Sequence, residues 1–247
     1  MLFRSDLVRR RVNVMVATTT QAALAAKAAT TEIPIVFEIA SNPVKLGLVA
    51  SLNRPGGNVT GVTQLNIDIT PKRLEIMREL MPTATLMAAL VNPTNPALAE
   101  PTTQGLQAAA RTLGLQLHLL NASTERDFDG AFVAALQLRA GGLVIGTDPL
   151  FSGRSKQLAT LAVRHAVPTI YAWREFALTG GLMAYGADNL DAYHLTGVNA
   201  GRVLKGAKPA DLPVQQATKI ELFINLKTAK ALGLTVQIGR ASCRERV

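Results

Sequence analysis

Cysteine is almost absent from this sequence: its 247 residues include one, Cys243. A lone thiol forms no internal disulfide and builds no Cys-ligated metal centre. Aromatic residues are scarce, at 4%, while hydrophobic residues reach 48%. The core is therefore expected to rest mainly on Ala, Leu, Val and Ile. Long apolar runs are also missing. The alanine-rich stretch 21–30 is broken by Lys27 and falls well short of the roughly 20 residues that span a bilayer. Residues 1–11 offer no signal-peptide core, because Arg4, Asp6, Arg9, Arg10 and Arg11 interrupt any apolar segment. Acidic residues are outnumbered, 17 against 26 Lys and Arg, for a net charge of +9. The excess is scattered rather than striped. Its one dense cluster, Arg9-Arg10-Arg11, closes a helix-like segment where cations complement the helix dipole, so nucleic acid is not expected as a partner.

Cofactor and catalytic signatures are lacking too. Gly56-Gly57-Asn58-Val59-Thr60-Gly61 is glycine-rich but is not GxGxxG; it precedes no helix and reads as a turn entering a strand. Neither a Walker lysine motif nor a GxSxG elbow occurs. His118, His165 and His194 have no metal-ligand spacing. Asp188 and Asp191 stand at one helix start, where dipole capping explains them. No catalytic residue, metal or cofactor is expected, and the chain is not read as an enzyme. Asn58-Val59-Thr60 matches a glycosylation sequon, a tripeptide that arises often by chance.

What the sequence does contain is a repeated order of strand, polar loop and helix. Apolar, β-rich runs fall at 12–17, 34–37, 85–91, 115–120, 142–145, 168–171 and 182–185. Most are nearly continuous, as parallel strands covered on both faces would be. Helical stretches lie between them. One follows Thr70-Pro71, with Thr70 as N-cap and proline at N1. Others span 96–113, 125–140, 152–165 and 189–205. A strand at 219–226 and a short helix at 227–232 close the pattern. Such alternation predicts α/β architecture with parallel sheets. Breaks at Met81-Pro82-Thr83 and at 208–213 read as crossings between two lobes. The chain opens on a helix tail without a preceding strand, so the first lobe is expected to be incomplete. Residues 238–247 resemble the translation of a sequencing-adapter read-through and are set aside from the fold; without their three Arg and one Glu the charge falls from +9 to +7.

In open parallel sheets, ligands bind beyond the carboxyl ends of the strands. Here those ends are polar. Thr18, Thr19 and Thr20 follow the first run, and Glu38, Ser41 and Asn42 the second. Asn92 to Asn95, Thr147-Asp148, Trp173 and Asp188 follow later ones. Hydroxyls, amides and helix-start N–H groups suit a carboxylate or small anion. Glu38, Asp148 and Asp188 suit an ammonium, and Tyr171, Trp173 and Tyr185 an apolar or aromatic group. Any one of these loops is explained by helix capping and turns alone; the set of six points to a ligand cleft. The expected ligand-binding residues are Thr18, Thr19, Ser41, Asn42, Asn92, Asp148, Tyr171, Trp173 and Tyr185.

Several segments together resemble the ABC-transporter substrate-binding proteins of the tryptophan/tyrosine type. They include Pro34-Ile35-Val36-Phe37, Asn42-Pro43-Val44-Lys45-Leu46-Gly47 and Asn53-Arg54-Pro55-Gly56-Gly57-Asn58-Val59-Thr60-Gly61. Others are Lys72-Arg73-Leu74-Glu75, Tyr171-Ala172-Trp173-Arg174-Glu175-Phe176, Gly180-Gly181-Leu182-Met183 and Lys208-Pro209-Ala210-Asp211-Leu212-Pro213. The resemblance implies two Rossmann-like lobes of the type I periplasmic binding architecture, closing on a small molecule. On that basis one lobe is expected at 1–82 with 186–212, and the other at 83–185 with 213–237. It further implies a periplasmic location, an amino acid or related small organic solute as ligand, and an ABC permease with its ATPase as partners. Two alternatives stay open. One is a ligand-sensing regulatory module on the same fold. The other is a Rossmann-type enzyme whose cofactor motif lies outside this chain.

Overall fold

The computed structural model describes residues 2–236 and a two-residue strand at 245–246. The chain runs α1 (Leu2–Arg9), β1 (Met15–Ala17), α2 (Thr20–Ala29), β2 (Ile35–Ile39), β3 (Val59–Thr63), α3 (Thr70–Leu80) and β4 (Leu86–Val91). It continues with α4 (Pro96–Thr112), β5 (Gln116–Asn121), α5 (Asp127–Gln137), β6 (Leu143–Ile145), α6 (Pro149–Gly153), α7 (Ser155–Arg164) and β7 (Thr169–Tyr171). Then follow α8 (Arg174–Leu178), β8 (Met183–Ala187), α9 (Asn189–Leu204), β9 (Gln215–Gln216), β10 (Ile220–Ile224), α10 (Leu226–Ala231) and β11 (Glu245–Arg246). The alternating α/β order with parallel pairing is the one expected from the sequence.

Two compact units result. The first holds the described parts of Met1–Leu65 together with Ala187–Lys219; the second holds Asn66–Gly186 and the described residues after Lys219. In the first unit the strands run β1-β2-β3-β9, all parallel. Every residue of β2 and β3 is buried. By the pleat's alternation, Ile35, Phe37 and Ile39 face one side, where they pack with Ala23 and Ala26 of α2. Val36 and Glu38 face the other, and α9 packs against β2 and β3. Gly61 is required by that close pairing, since a Cβ there would lie 2.1 Å from the Phe37 carbonyl oxygen.

The second unit has the strand order β11-β10-β8-β7-β6-β4-β5. Its β4–β5, β4–β6, β6–β7, β7–β8 and β10–β11 pairs are parallel. Alternate residues of β4 feed two cores. Ala88 and Leu90 join Phe128, Phe132, Phe151 and Phe176 on one face. Met87 and Ala89 join Leu74, Met77, Leu106 and Ala110 on the other.

Several expectations need correction. The crossings fall after Leu65, Gly186 and Lys219 rather than at Pro82 and at 208–213. Helix α3 belongs to the second unit, because Leu74 and Met77 are buried in its core. Residues 213–219 stay with the first unit, where β9 pairs with β3. The helix expected at 152–165 is two, α6 and α7, meeting at Arg154. The N-cap of α3 is Ile69; the Thr70 hydroxyl donates instead to the Asn66 carbonyl at 3.1 Å. Strand β5 is an edge strand, half exposed rather than covered on both faces. Of the segment 238–247 set aside from the fold, Glu245–Arg246 pairs with β10, and the rest lies outside the described residues.

Candidate functional site

In the first unit, the carboxyl ends of β1, β2 and β3 are tied together by hydroxyl groups. Thr18 is exposed after β1. Thr19 is the N-cap of α2 in extended conformation, and its Oγ1 accepts the Ala22 N–H at 3.1 Å. The next hydroxyl, that of Thr20, is buried 3.3 Å from Ser41 Oγ. Ser41, also buried, accepts the Thr63 hydroxyl on its carbonyl at 2.8 Å. Asn42 Oδ1 takes the N–H groups of Val44 and Lys45 at 3.0 and 3.1 Å, an Asx turn that shapes the loop. The shared network is Thr20, Ser41 and Thr63; Thr19 and Asn42 flank it in sequence, each capping its own loop, with Thr18 exposed beside them.

Two carboxyls stand near these ends. Glu38 is buried in β2, and loss of hydration pushes its carboxyl up to about 7. Asp188 caps α9, with Oδ1 accepting the Leu190 N–H at 2.9 Å. Its Oδ2 pairs with Lys219 Nζ at 2.7 Å, and that partner chiefly holds the carboxyl below its ordinary value. Asp188 thus already has its cation, and the capping role read from sequence is the one the structure gives.

In the second unit the centre is Asp148, the N-cap of α6, which is 4% exposed. Its Oδ1 accepts Asn92 Nδ2 at 3.1 Å and the Leu150 N–H at 2.9 Å. Its Oδ2 accepts Asn95 Nδ2 at 2.8 Å. Three donors on a carboxylate with about four lone-pair positions leave one on Oδ2. Asn92 in turn accepts the Thr94 N–H and hydroxyl, which fixes the loop after β4. Tyr171 is fully buried, edge-on to Trp173 and Phe176, and its hydroxyl donates to the Asp148 carbonyl at 3.4 Å. Burial raises its phenol well above the ordinary value. Tyr171 and Trp173 belong to the aromatic core behind the strand ends.

The last expected residue, Tyr185, is half buried in β8 and packs against the core on the α3 side. Its carbonyl is held by a residue that sequence reasoning missed. Arg73 of α3 is fully buried, and its Nε donates to that carbonyl at 2.7 Å. One terminal nitrogen reaches Thr70 Oγ1 at 3.0 Å and Thr147 Oγ1 at 3.5 Å; the other reaches Asn66 Oδ1 at 3.2 Å. All four acceptors are neutral, and burial lowers the guanidinium to about 10. It is still protonated at neutral pH. Through Thr147 it joins Tyr185 to the Asp148 cluster. Gly186 permits this packing: a Cβ there would meet the Ala172 carbonyl oxygen at 2.2 Å and Asn66 Oδ1 at 2.8 Å. The available signal for Arg73 was its spacing, because Thr70, Arg73, Leu74 and Met77 share one helical face.

Thr18, Thr19, Ser41 and Asn42 thus lie at strand ends of the first unit, and Asn92 and Asp148 at those of the second, whereas Tyr171 and Trp173 lie in the core and Tyr185 within β8 on the α3 side. The strand-end groups are hydroxyls, amides and carboxyls, suited to hydrogen bonding a small polar molecule. Among the described residues no cluster of three or more His, Cys, Asp or Glu is placed to hold a metal. No described helix is long and apolar enough to cross a membrane.

The chain is similar over 231 residues to the Tyrosine-binding protein of Clostridioides difficile (strain R20291), at 29% identity; the match covers 93% of the chain and 66% of that protein. The chain thus spans just under two thirds of that relative's length. Its fold resembles that of a Streptococcus pneumonia ABC domain solved in complex with L-Trp, with a TM-score of 0.86, 23% identity, and coverage of 99% of this chain and 84% of that one. A conserved domain protein from Vibrio cholerae gives a TM-score of 0.88 at 25% identity, covering 99% of this chain and 81% of that one. The profile of one family, described as ABC transporter substrate binding protein, matches residues 3–239. Nearly the whole chain lies within that match, on the two-unit parallel α/β fold that the sequence led us to expect, and the protein belongs to the ABC transporter substrate-binding protein family.

Proposed function

We propose that this chain is the capture component of an ABC import system, binding an amino acid or a related small organic solute without covalent chemistry. The observation that carries the reading is the pair of strand-end networks, one in each unit, built around Thr20–Ser41–Thr63 and Asn92–Asp148. Thr18, Thr19, Ser41 and Asn42 offer hydroxyl, amide and backbone N–H donors for a carboxylate. The remaining position on Asp148 Oδ2 offers an acceptor for an ammonium, and Asn92, whose Oδ1 already accepts the Thr94 N–H and hydroxyl, orients that carboxylate. Tyr171 and Trp173, expected as an apolar boundary, belong to the buried aromatic core, and Tyr185 packs on the α3 side, so they support the strand ends from within. The names of two relatives, one tyrosine-binding and one solved with L-Trp, support aromatic amino acids as the first ligands to try. In this role the protein hands its ligand to a permease with its ATPase, on the outer side of the cytoplasmic membrane. It makes no contact with nucleic acid, needs no cofactor and catalyses no reaction.

Titration calorimetry with L-tyrosine, L-tryptophan, the other amino acids and small organic acids tests this. Saturable binding of at least one is expected, with affinity falling about tenfold or more in Asp148→Ala, a loss of about 1.4 kcal/mol. If no compound gives heat or a thermal shift, the capture role fails. If one binds and Asp148→Ala leaves its affinity unchanged, the site assignment fails.

A further inference from the structure

Leu65 is the last residue of the first unit before the chain crosses to Asn66 of the second. Its φ is 50°, in the left-handed region that L side chains rarely adopt. Among the described residues, the other non-glycine residues with positive φ are Arg11, Arg139 and Ala166. These three stand just past the ends of α1, α5 and α7, where a left-handed residue commonly closes the last turn of a helix. Leu65 ends no helix. It follows β3, so its conformation is imposed by what holds its neighbours.

Both neighbours are held firmly, each by its own unit. The Gln64 N–H donates to the Ile39 carbonyl at 2.9 Å, and its Nε2 donates to Asn189 Oδ1 at 2.8 Å, which ties it to β2 and α9. Asn66 is fully buried; its carbonyl accepts the Thr70 hydroxyl at 3.1 Å, and its Oδ1 accepts Arg73 at 3.2 Å. The same guanidinium holds the Tyr185 carbonyl at 2.7 Å, just before the second crossing. Past that crossing, the Asp188 N–H donates to the Lys219 carbonyl at 3.0 Å, and Asp188 Oδ2 takes Lys219 Nζ at 2.7 Å, at the start of the third crossing. Each unit thus ties together the segments that enter and leave it. Little backbone lies between the ties: Leu65 on the first crossing and Gly186-Ala187 on the second. Hinges are a few such residues that absorb a large change in φ and ψ. We propose that Leu65 is the pivot of the first crossing: its backbone leaves the left-handed region when the two units change orientation, while Gln64 and Asn66 stay fixed. For its use this rests on the capture reading, in which a ligand selects one orientation; its test needs no ligand.

The test is double electron–electron resonance on the ligand-free full chain carrying Cys243→Ser. Nitroxide labels go on two exposed positions, Arg54→Cys in the first unit and Gln107→Cys in the second. Glycine takes positive φ without steric cost, so Leu65→Gly raises the population with residue 65 left-handed about fivefold against its alternative. Isoleucine has the same volume but branches at Cβ and disfavours that region further, so Leu65→Ile lowers the population. The two variants are expected to move the distance distribution in opposite directions from the parent. A Leu65→Gly distribution that is unchanged, or broadened without a shift, overturns the proposal. So does a Leu65→Ile shift in the same direction as that of Leu65→Gly. If Leu65→Ile does not fold, Leu65→Gly alone decides. An unchanged distribution in a protein that still binds an amino acid by calorimetry removes the pivot and leaves capture standing. Opposite shifts in a protein that binds nothing do the reverse.

Discussion

Among the described residues, Phe37 is the single aromatic side chain in the buried core of the first unit. The second unit packs six, Phe128, Phe132, Phe151, Tyr171, Trp173 and Phe176, into one cluster behind the ends of its strands. The chain has eleven aromatic residues in all, so this scarce material is concentrated where Asp148 sits. The first unit buries the carboxyl of Glu38; the second buries the guanidinium of Arg73 as well as the hydrogen-bonded carboxyl of Asp148. These burials are not equivalent. A carboxyl can shed its charge by taking up a proton near neutral pH, so it tolerates a poorly hydrated site. A guanidinium cannot discharge, so it must be given acceptors. Arg73 has four, spread over Asn66, Thr70, Thr147 and Tyr185. Arg73 therefore organises its surroundings, while Glu38 is held with a raised affinity for its proton.

That contrast can be attacked from both sides. The largest effect is expected at Arg73. Replacement by alanine leaves the Tyr185 carbonyl and Asn66 Oδ1 without their donor and opens a void in α3, costing about 4 kcal/mol. Urea unfolding monitored at Trp173 reports on the second unit directly. A loss below about 1 kcal/mol would mean that these bonds merely compensate for desolvating the cation.

The next effect is a pH dependence from Glu38. In the unfolded chain this carboxyl releases its proton near 4.5, and in the fold near 7. Its favourable contribution is therefore complete below pH 4.5 and is lost as pH rises to 7. The total is about 3 kcal/mol. Other carboxyls slope the opposite way in acid, so the difference between parent and Glu38→Gln isolates the contribution. Unfolding free energies measured from pH 4 to 8 should show Glu38→Gln gaining on the parent across that window. Parallel curves would show that Glu38 stays charged in the fold.

The smallest effect is at Thr19, where Thr19→Ala removes one helix cap in the first unit and costs about 1 kcal/mol. Thermal unfolding of the pair measures it. A loss of several kcal/mol would show that Thr19 acts as a unit with the hydroxyl network of Thr20, Ser41 and Thr63, like the Arg73 cluster.

The sequence marked the polar strand ends correctly but misjudged how much of them is free. Tyr171 ends β7 and Trp173 follows it, an aromatic pair beside polar residues, and such a pair reads the same whether it faces a ligand or a core. In the fold they lie in the core. Asp148 reads as an acceptor for an ammonium, yet Asn92, Asn95 and the Leu150 N–H take most of its capacity. Arg73 was invisible as a site residue because a charged side chain on a helix is ordinarily solvated. The break at Met81-Pro82-Thr83 is a real helix end but not a crossing, since the partner of α3 is chosen by Leu74 and Met77 and not by the loop that follows.

By itself the sequence determined the elements and their order. Apolar runs of strand length, capping residues and glycine turns are local, and their physics acts within a few neighbouring residues. It also determined which segments end in hydroxyls, amides and acids, and so where along the chain small-molecule chemistry could sit. Only the tertiary structure decided which unit α3 and β9 join, which acids are already paired, and that Arg73 lies buried among the acceptors of Asn66, Thr70, Thr147 and Tyr185. Those outcomes depend on what packs against a side chain from segments distant in the chain, because burial and hydrogen-bond partners set its charge, its freedom and its use.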